Sequence, residues 1–136
     1  MARSKFSLGV AHGVQSMTVT LAGMAAVAFG AATFKVVLPS RAKVVGVSFN
    51  AGAIGGTHVT SAIDVKNGGT SLLASALDVD AAVAGTPVER NGTTMASAAD
   101  DIAQGTAISI VCTESGGTNP TLTAATLTIE YIPLGD

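Results

Sequence analysis

The chain has 136 residues and a formal net charge of −2; 12% of its residues are charged and 48% are hydrophobic. A chain of this length normally forms one domain, and this combination of hydrophobicity with low net charge excludes intrinsic disorder. Because it contains only two His and one Cys, few groups are available for proton transfer or metal binding, and we do not expect an enzyme.

The net charge is divided unevenly along the chain. Residues 1–63 contain five Lys or Arg and no acid, whereas residues 64–136 contain two Lys or Arg and nine Asp or Glu, which gives charges of +5 and −7. This division predicts that the N-terminal half contacts an acidic partner. The cations are too dispersed for a nucleic-acid-binding stripe, so no nucleic acid is expected as a partner.

We predict an extended N-terminal arm over residues 1–15, followed by one domain over residues 16–136. The arm combines positive charge with apolar side chains, and exposed ion pairs contribute only about 0–1 kcal/mol each, so apolar burial must supply more of any binding energy. The predicted partner-binding residues of the arm are Arg3, Lys5, Phe6, Leu8 and Val10, with Arg41 and Lys43 as possible secondary contacts.

The segment after the arm has a competing interpretation. Residues 21–29 read LAGMAAVAF, follow two cations and contain a small-residue AVA pattern at 26–28, which is also typical of a secretory signal cleaved near Ala28. Polar residues and glycines interrupt this stretch, which disfavours a membrane helix, and no membrane partner is expected. We otherwise expect a first strand over residues 16–22 and a loop or short helix over 23–32.

Beyond residue 34 the sequence has a two-residue period, which is typical of β-strands. The alternating apolar sets are Val45, Val47 and Phe49 with Lys43; Val59, Ile63 and Val65; Ile108, Ile110 and Cys112; and Leu127, Ile129 and Tyr131. The turn KNGGT at residues 66–70 supplies the Asn-Gly pair that tight hairpins favour. Seven or eight short strands predict an all-β fold, a single jelly-roll-like antiparallel β-sandwich with the extended N-terminal arm.

Other segments predict less regular structure. Residues 94–104 can form one or two helical turns that end near Gly105. The glycine-rich residues 52–56 indicate a hairpin loop, because no Gly-Lys-Ser/Thr follows them to cradle a phosphate. The low aromatic content of 4% predicts a thin core, to which contacts between subunits would add buried area.

No catalytic or metal-binding set emerges from the candidate residues. His12 falls in the arm and His58 on the polar face of a strand, while Cys112 stands in an apolar run and is expected to be a buried small hydrophobic residue. Asp78, Asp80 and the pair at 100–101 offer oxygen atoms to Ca²⁺ but lack the spacing of a calcium loop. We expect no metal and no cofactor, with calcium binding by an acidic loop left open.

Three segments resemble a recurrent virion module of tailed bacteriophages. They are residues 34–52 (FKVVLPSRAKVVGVSFNAG), 62–75 (AIDVKNGGTSLLAS) and 103–134 (AQGTAISIVCTESGGTNPTLTAATLTIEYIPL). Together they cover about residues 34–134, and the first 33 residues are not matched. The shared features are mainly alternating strand sequences and the residues of β-turns.

Proteins of this kind are small jelly-roll or sandwich subunits, often capsid decoration (cement) proteins that sit as trimers on the shell and clamp major capsid subunits with terminal arms. The resemblance therefore implies a homotrimer on the outer surface of a virion, bound to the major capsid protein, with no catalytic residues. The alternative is a receptor- or carbohydrate-binding module of a tail or head fibre. The lack of Trp and the single Tyr argue against a sugar site, since such sites commonly stack sugar rings on aromatic side chains.

Overall fold

The computed structural model describes residues 13–21, 33–55, 58–80, 82–117 and 121–135, so the predicted arm and the loop predicted over 23–32 lie almost entirely outside the described residues. Within these ranges the chain forms eleven strands and two short 3-10 helices. The strands are β1 (Gln15–Thr20), β2 (Thr33–Val37), β3 (Ala42–Asn50), β4 (Ala53–Gly55), β5 (His58–Asn67), β6 (Thr70–Ser71), β7 (Leu77–Asp78), β8 (Val88–Asn91), β9 (Ala107–Gly117), β10 (Thr121–Thr123) and β11 (Thr126–Pro133). The 3-10 helices span Gly92–Thr94 and Ser97–Ala99.

The strands form two main antiparallel sheets. The front sheet has the order β1-β11-β3-β8, and the back sheet has the order β2-β9-β5-β6, with β7 also paired to β5. β4 and β10 form a separate two-stranded ribbon. The first strand, predicted over residues 16–22, is confirmed with the observed bounds Gln15–Thr20.

The strand order is that of a jelly roll. β6 pairs with β5 at Lys66 and Asn67, and β7 pairs with it at Ala62 and Ile63, so the two short strands share one position in the back sheet. When the β4–β10 ribbon is left out and β6 and β7 are counted as one, eight strand positions remain. Numbered from 1 to 8 in chain order, these positions have the order 1-8-3-6 in the front sheet and 2-7-4-5 in the back sheet. Two Greek keys connected in this way define a jelly roll. The predicted all-β sandwich is therefore confirmed.

The core lies between the inward faces of the two sheets. The predicted apolar rows of β9 and β11 are both buried there, as are Ile63 and Val65 of β5. Phe49 and Tyr131 are the only aromatic residues among the buried core side chains of the described chain. Aliphatic side chains, mainly Leu, Ile and Val, therefore fill most of the space between the sheets.

Strand β3 departs from the single alternation that its sequence predicts. Glu130 is paired with Gly46, but Tyr131 is paired with Val44, so Val45 is the extra residue of a β-bulge. A bulge reverses the inward and outward positions on its two sides. Val47 and Phe49 point inward as expected, whereas Val44 replaces Val45 in the core and Lys43 lies on the exposed face.

Three connections also differ from or refine the expectations. The segment predicted to be helical forms only short 3-10 turns, because Ile102 leaves it to make a two-way backbone bridge with Ala42. The predicted loop at 52–56 contains β4, which pairs with β10. The β5–β6 hairpin is confirmed, and its first loop residue, Gly68, has a φ of +60°, a value that favours glycine.

Substitution of Phe49 tests the contribution of this thin core. Phe49 is 1% exposed, and Phe49→Ala should lower the free energy of unfolding by about 3–5 kcal/mol, because a buried ring is replaced by a cavity. Urea unfolding followed by circular dichroism measures the change. Val83→Ala is the matched control, since Val83 is 64% exposed, and an equal loss in both variants would contradict the assigned core.

Candidate functional site

The two described cations that were predicted as secondary partner contacts lie at the start of β3. The backbone bridge between Ala42 and Ile102 brings Asp100 and Asp101 beside them. The Arg41 guanidinium donates two hydrogen bonds to the Asp101 carboxylate, from Nε to Oδ1 at 2.8 Å and from Nη2 to Oδ2 at 2.7 Å. Lys43 Nζ lies 3.0 Å from Asp100 Oδ1.

These ion pairs change the interpretation of the charge division. Arg41 and Lys43 belong to the positive half of the sequence, yet the fold pairs them with acids of the negative half. Hydrogen bonding from Arg41 holds the pKa of Asp101 below its usual value of 3.8. Part of the positive charge of the N-terminal half is therefore neutralised within the chain. The four side chains of these two ion pairs remain 44–59% exposed.

The predicted arm residues lie outside the described residues, as does His12. They are the partner-binding set Arg3, Lys5, Phe6, Leu8 and Val10. Their assignment stays a prediction.

A groove lies beside the bulge of β3. It has a volume of about 390 Å³ and is lined on one side by Lys43, Val44 and Val45. The other side is formed by the 3-10 segment, from Gly92 to Asp100. The groove is largely apolar, and its lining includes the ion-paired Lys43 and Asp100.

A second depression lies along β5, β7 and β9 of the back sheet, and most of its lining surface is apolar although hydroxyl and carboxylate side chains contribute to it. Its volume is about 330 Å³, and its floor includes Ala62. The lining side chains that occupy outward positions of β5, β9 and the β7 region are Thr60, Thr113, Ser115, Asp78 and Asp80. Sequence reasoning missed the hydroxyl residues, although their alternate positions in two predicted strands were a usable signal.

The acidic residues considered for calcium have other roles in the described structure. The Asp80 backbone N–H donates to Asp78 Oδ1 at 2.9 Å, which is the geometry of an Asx turn. Asp100 and Asp101 are ion-paired as described above. Across the described ranges, no three His, Cys, Asp or Glu side chains come together as a group that could hold a metal ion.

The lone thiol is buried in the core. Cys112 is 1% exposed on the inward face of β9, opposite Ile63 of β5. Burial raises the pKa of this thiol from 9.0 to about 12. The expected structural role of Cys112 is confirmed, since a neutral, inaccessible thiol is a poor nucleophile.

Two buried oxygen atoms lie on the inward side of the β5–β9 strand pair. Ser61 and Glu114 are cross-strand partners, and within the described part of the chain neither Ser61 Oγ nor Glu114 Oε1 has a hydrogen-bond partner. Such groups cost stability, typically about 1–3 kcal/mol each.

No helix in the described part of the chain is long and apolar enough to cross a membrane.

Comparisons with known proteins give structural similarity only. No protein-family model matches the chain, and no curated protein matches its sequence. Three structures of infectious bursal disease virus are similar to it: the T13 viral particle (15% identity, TM-score 0.35), the VP2 subviral particle (14%, 0.33) and the Gx strain (15%, 0.29).

The alignments to those three structures cover 86%, 88% and 90% of this chain but only 31%, 32% and 37% of the viral chains. The chain thus spans about a third of the length of the proteins that it matches.

The ion pair at the start of β3 predicts a change in acid titration. Arg41→Ala should move the pKa of Asp101 up towards 3.8, because the hydrogen bonds that favour the carboxylate are lost. The stabilisation from this pair is present above pH 3.8 and is lost as the pH falls through the lowered pKa. Carboxyl carbon NMR measures the titration, with Lys66→Ala as a control that leaves Asp101 unchanged. An unaltered Asp101 titration in Arg41→Ala would contradict the pairing.

Cys112 should resist thiol reagents in the folded protein. At about pH 8 a disulfide-exchange reagent should not react with the native chain and should react with one thiol per chain in urea, because the native thiol is neutral and buried. The raised pKa also predicts that folded stability falls as the pH rises from 9.0 towards about 12. Rapid native labelling, measured by absorbance and intact mass, would contradict the burial of Cys112.

Proposed function

We propose that this chain is a virion structural subunit that decorates and stabilises a bacteriophage capsid by binding between major capsid subunits as a homotrimer. The observation that carries the proposal is the jelly-roll strand order, an architecture used by viral capsid domains. The resemblance of residues 34–134 to the phage virion module supplies the choice of decoration. Lectins and cupins share the architecture, so the fold by itself does not select the function.

The chemistry of the described residues suits a role based on contact area. The one thiol is neutral and buried, and several acids serve as turn or ion-pair partners. A decoration subunit needs many weak contacts repeated over a lattice, and linkage of several binding sites in a trimer raises the overall affinity without any new type of contact. The N-terminal arm is the proposed main contact with the capsid.

A second candidate is a receptor- or carbohydrate-binding module of a tail or head fibre. The observation that favours it is the depression of about 330 Å³ on the back sheet, because the hydroxyl and carboxylate groups in its lining can hydrogen-bond a sugar. None of the described residues that line the depression is aromatic. Copy number separates the two candidates: hundreds of copies per virion indicate a shell protein, and a handful indicates a fibre.

Removal of the arm tests the decoration proposal directly. Deletion of residues 1–12, which leaves β1 intact, should reduce occupancy on undecorated capsids by about tenfold or more, since apolar and charged arm contacts are lost together. Phe6→Ala should reduce occupancy more than Lys5→Ala, because burial of a ring contributes more than an exposed ion pair. Co-sedimentation and cryo-electron microscopy measure occupancy.

Lys35→Ala is the control for these arm variants, since it removes a cation outside the arm. Undiminished binding of the deleted chain would refute the role of the arm. Binding of purified protein to glycans or host cells, without binding to capsids, would favour the fibre module.

A further inference from the structure

The arm begins at the same end of the sandwich as the groove beside the β3 bulge. Gln15, at the start of β1, is paired with Tyr131 of β11, and Tyr131 is paired with Val44 of β3. Val44 belongs to the wall of the groove. Because neighbouring strands lie about 4.8 Å apart, roughly 10 Å separates the start of β1 from this wall. The chain that precedes β1 therefore starts close to the groove.

The arm is long enough to enter the groove of its own chain. The groove lies on the side of β3 where β8 ends at Asn91 and the 3-10 segment follows, which is about three strand spacings, or roughly 15 Å, from Gln15. An extended chain advances about 3.3 Å per residue, so the five residues from Gln15 back to Val10 cover about 16 Å. Residues 8–10 are therefore the part of the arm that reaches the groove.

The arm has the side-chain pattern that an apolar groove accepts. Phe6, Leu8 and Val10 occupy alternate positions, so in an extended segment they point to one side. Val14 continues this alternation into the described residues and is 58% exposed. The chain thus leaves the front sheet with an apolar side chain already in solvent.

The groove offers apolar surface and a neutral rim. Val45, Met95 and Ala96 in its lining are only half-buried, so each has surface that a further side chain can cover. Lys43 and Asp100 are paired with each other at 3.0 Å and add no net charge. The groove therefore favours an occupant through apolar contact rather than through charge.

We infer that the arm of the free subunit folds back into the groove of its own chain, with Leu8 and Val10 against the half-buried apolar side chains of the lining. Attachment through β1 gives the arm an effective concentration of the order of millimolar, so even a weak contact holds it there for much of the time. The groove shields the apolar arm residues until a partner takes them. Only this last step rests on the proposed function, in which the partner is the capsid.

Cysteine cross-linking of the full-length chain tests the contact. Leu8→Cys or Val10→Cys is combined with Ala96→Cys, and Cys112 does not interfere because it is buried. A disulfide needs Cα atoms within about 7 Å, so mild oxidation should join at least one of these pairs within a chain. Non-reducing electrophoresis and intact mass measure the product. Val10→Cys with Val83→Cys is the matched control and should not cross-link, because the loop of Val83 lies at the opposite end of the sandwich.

Methyl NMR of Met95 provides a second measurement. Deletion of residues 1–12 should shift the Met95 methyl signal, and a synthetic peptide of residues 1–12 should move it back with a dissociation constant of about 0.1–1 mM. The same peptide with Leu8→Asp and Val10→Asp is the control and should not bind. High salt should leave the peptide affinity almost unchanged, since the contact is apolar.

The inference is overturned if neither cysteine pair cross-links, if the cross-links join two copies instead of forming within one chain, or if the Met95 signal does not respond to the deletion. Capsid binding gives a separate readout. The cross-linked chain should occupy undecorated capsids about tenfold less than the same chain after reduction, because its arm is held in the groove. Equal occupancy by a chain that does cross-link would contradict the capsid role of the arm and would leave the contact with the groove supported.

Discussion

The structure depends on the burial of aliphatic side chains, mainly Leu, Ile and Val, between two antiparallel sheets. The central strands β3 and β11 in front, and β5 and β9 behind, supply most of this core, and each contributes alternate residues to it. Because only Phe49 and Tyr131 add aromatic area among the described core residues, the sheets must match closely in register to bury enough surface. Register is strict in such a sandwich, since a slip of one residue would turn each apolar row towards water.

Contacts at the ends and edges hold the sheets in this alignment. The Arg90 side chain leaves edge strand β8 and donates to the carbonyl oxygens of Ser75 at 3.0 Å and Ala76 at 2.6 Å, which belong to the connection beside the back sheet. At the start of β3, the bridge from Ala42 to Ile102 fixes the 3-10 segment and sets the acids beside Arg41 and Lys43. Packing and charge pairing are thus coupled, because one backbone bridge positions both.

The outward positions of the sheets are the ones whose side chains can contact another molecule. Alternation commits half of each strand to the core and leaves the other half on the two outer faces of the sandwich. The front sheet presents Thr18, Thr128 and Glu130 outward, and the back sheet presents Lys35, Ser109 and Thr113. A protein that acts through repeated contacts uses surfaces of this kind in place of a cluster of reactive groups.

The sequence by itself determined the strand-rich class, the inward rows of β9 and β11, the buried thiol and the hairpin at Gly68, because these follow from local periodicity and turn chemistry. Tertiary structure alone decided the bulge at Val45, the pairing of β4 with β10 and the ion pairs that join Arg41 and Lys43 to Asp100 and Asp101. These features depend on which distant segments become neighbours. The gathering of Thr60, Asp78 and Thr113 in one depression has the same origin, since three strands far apart in sequence meet there through long-range pairing.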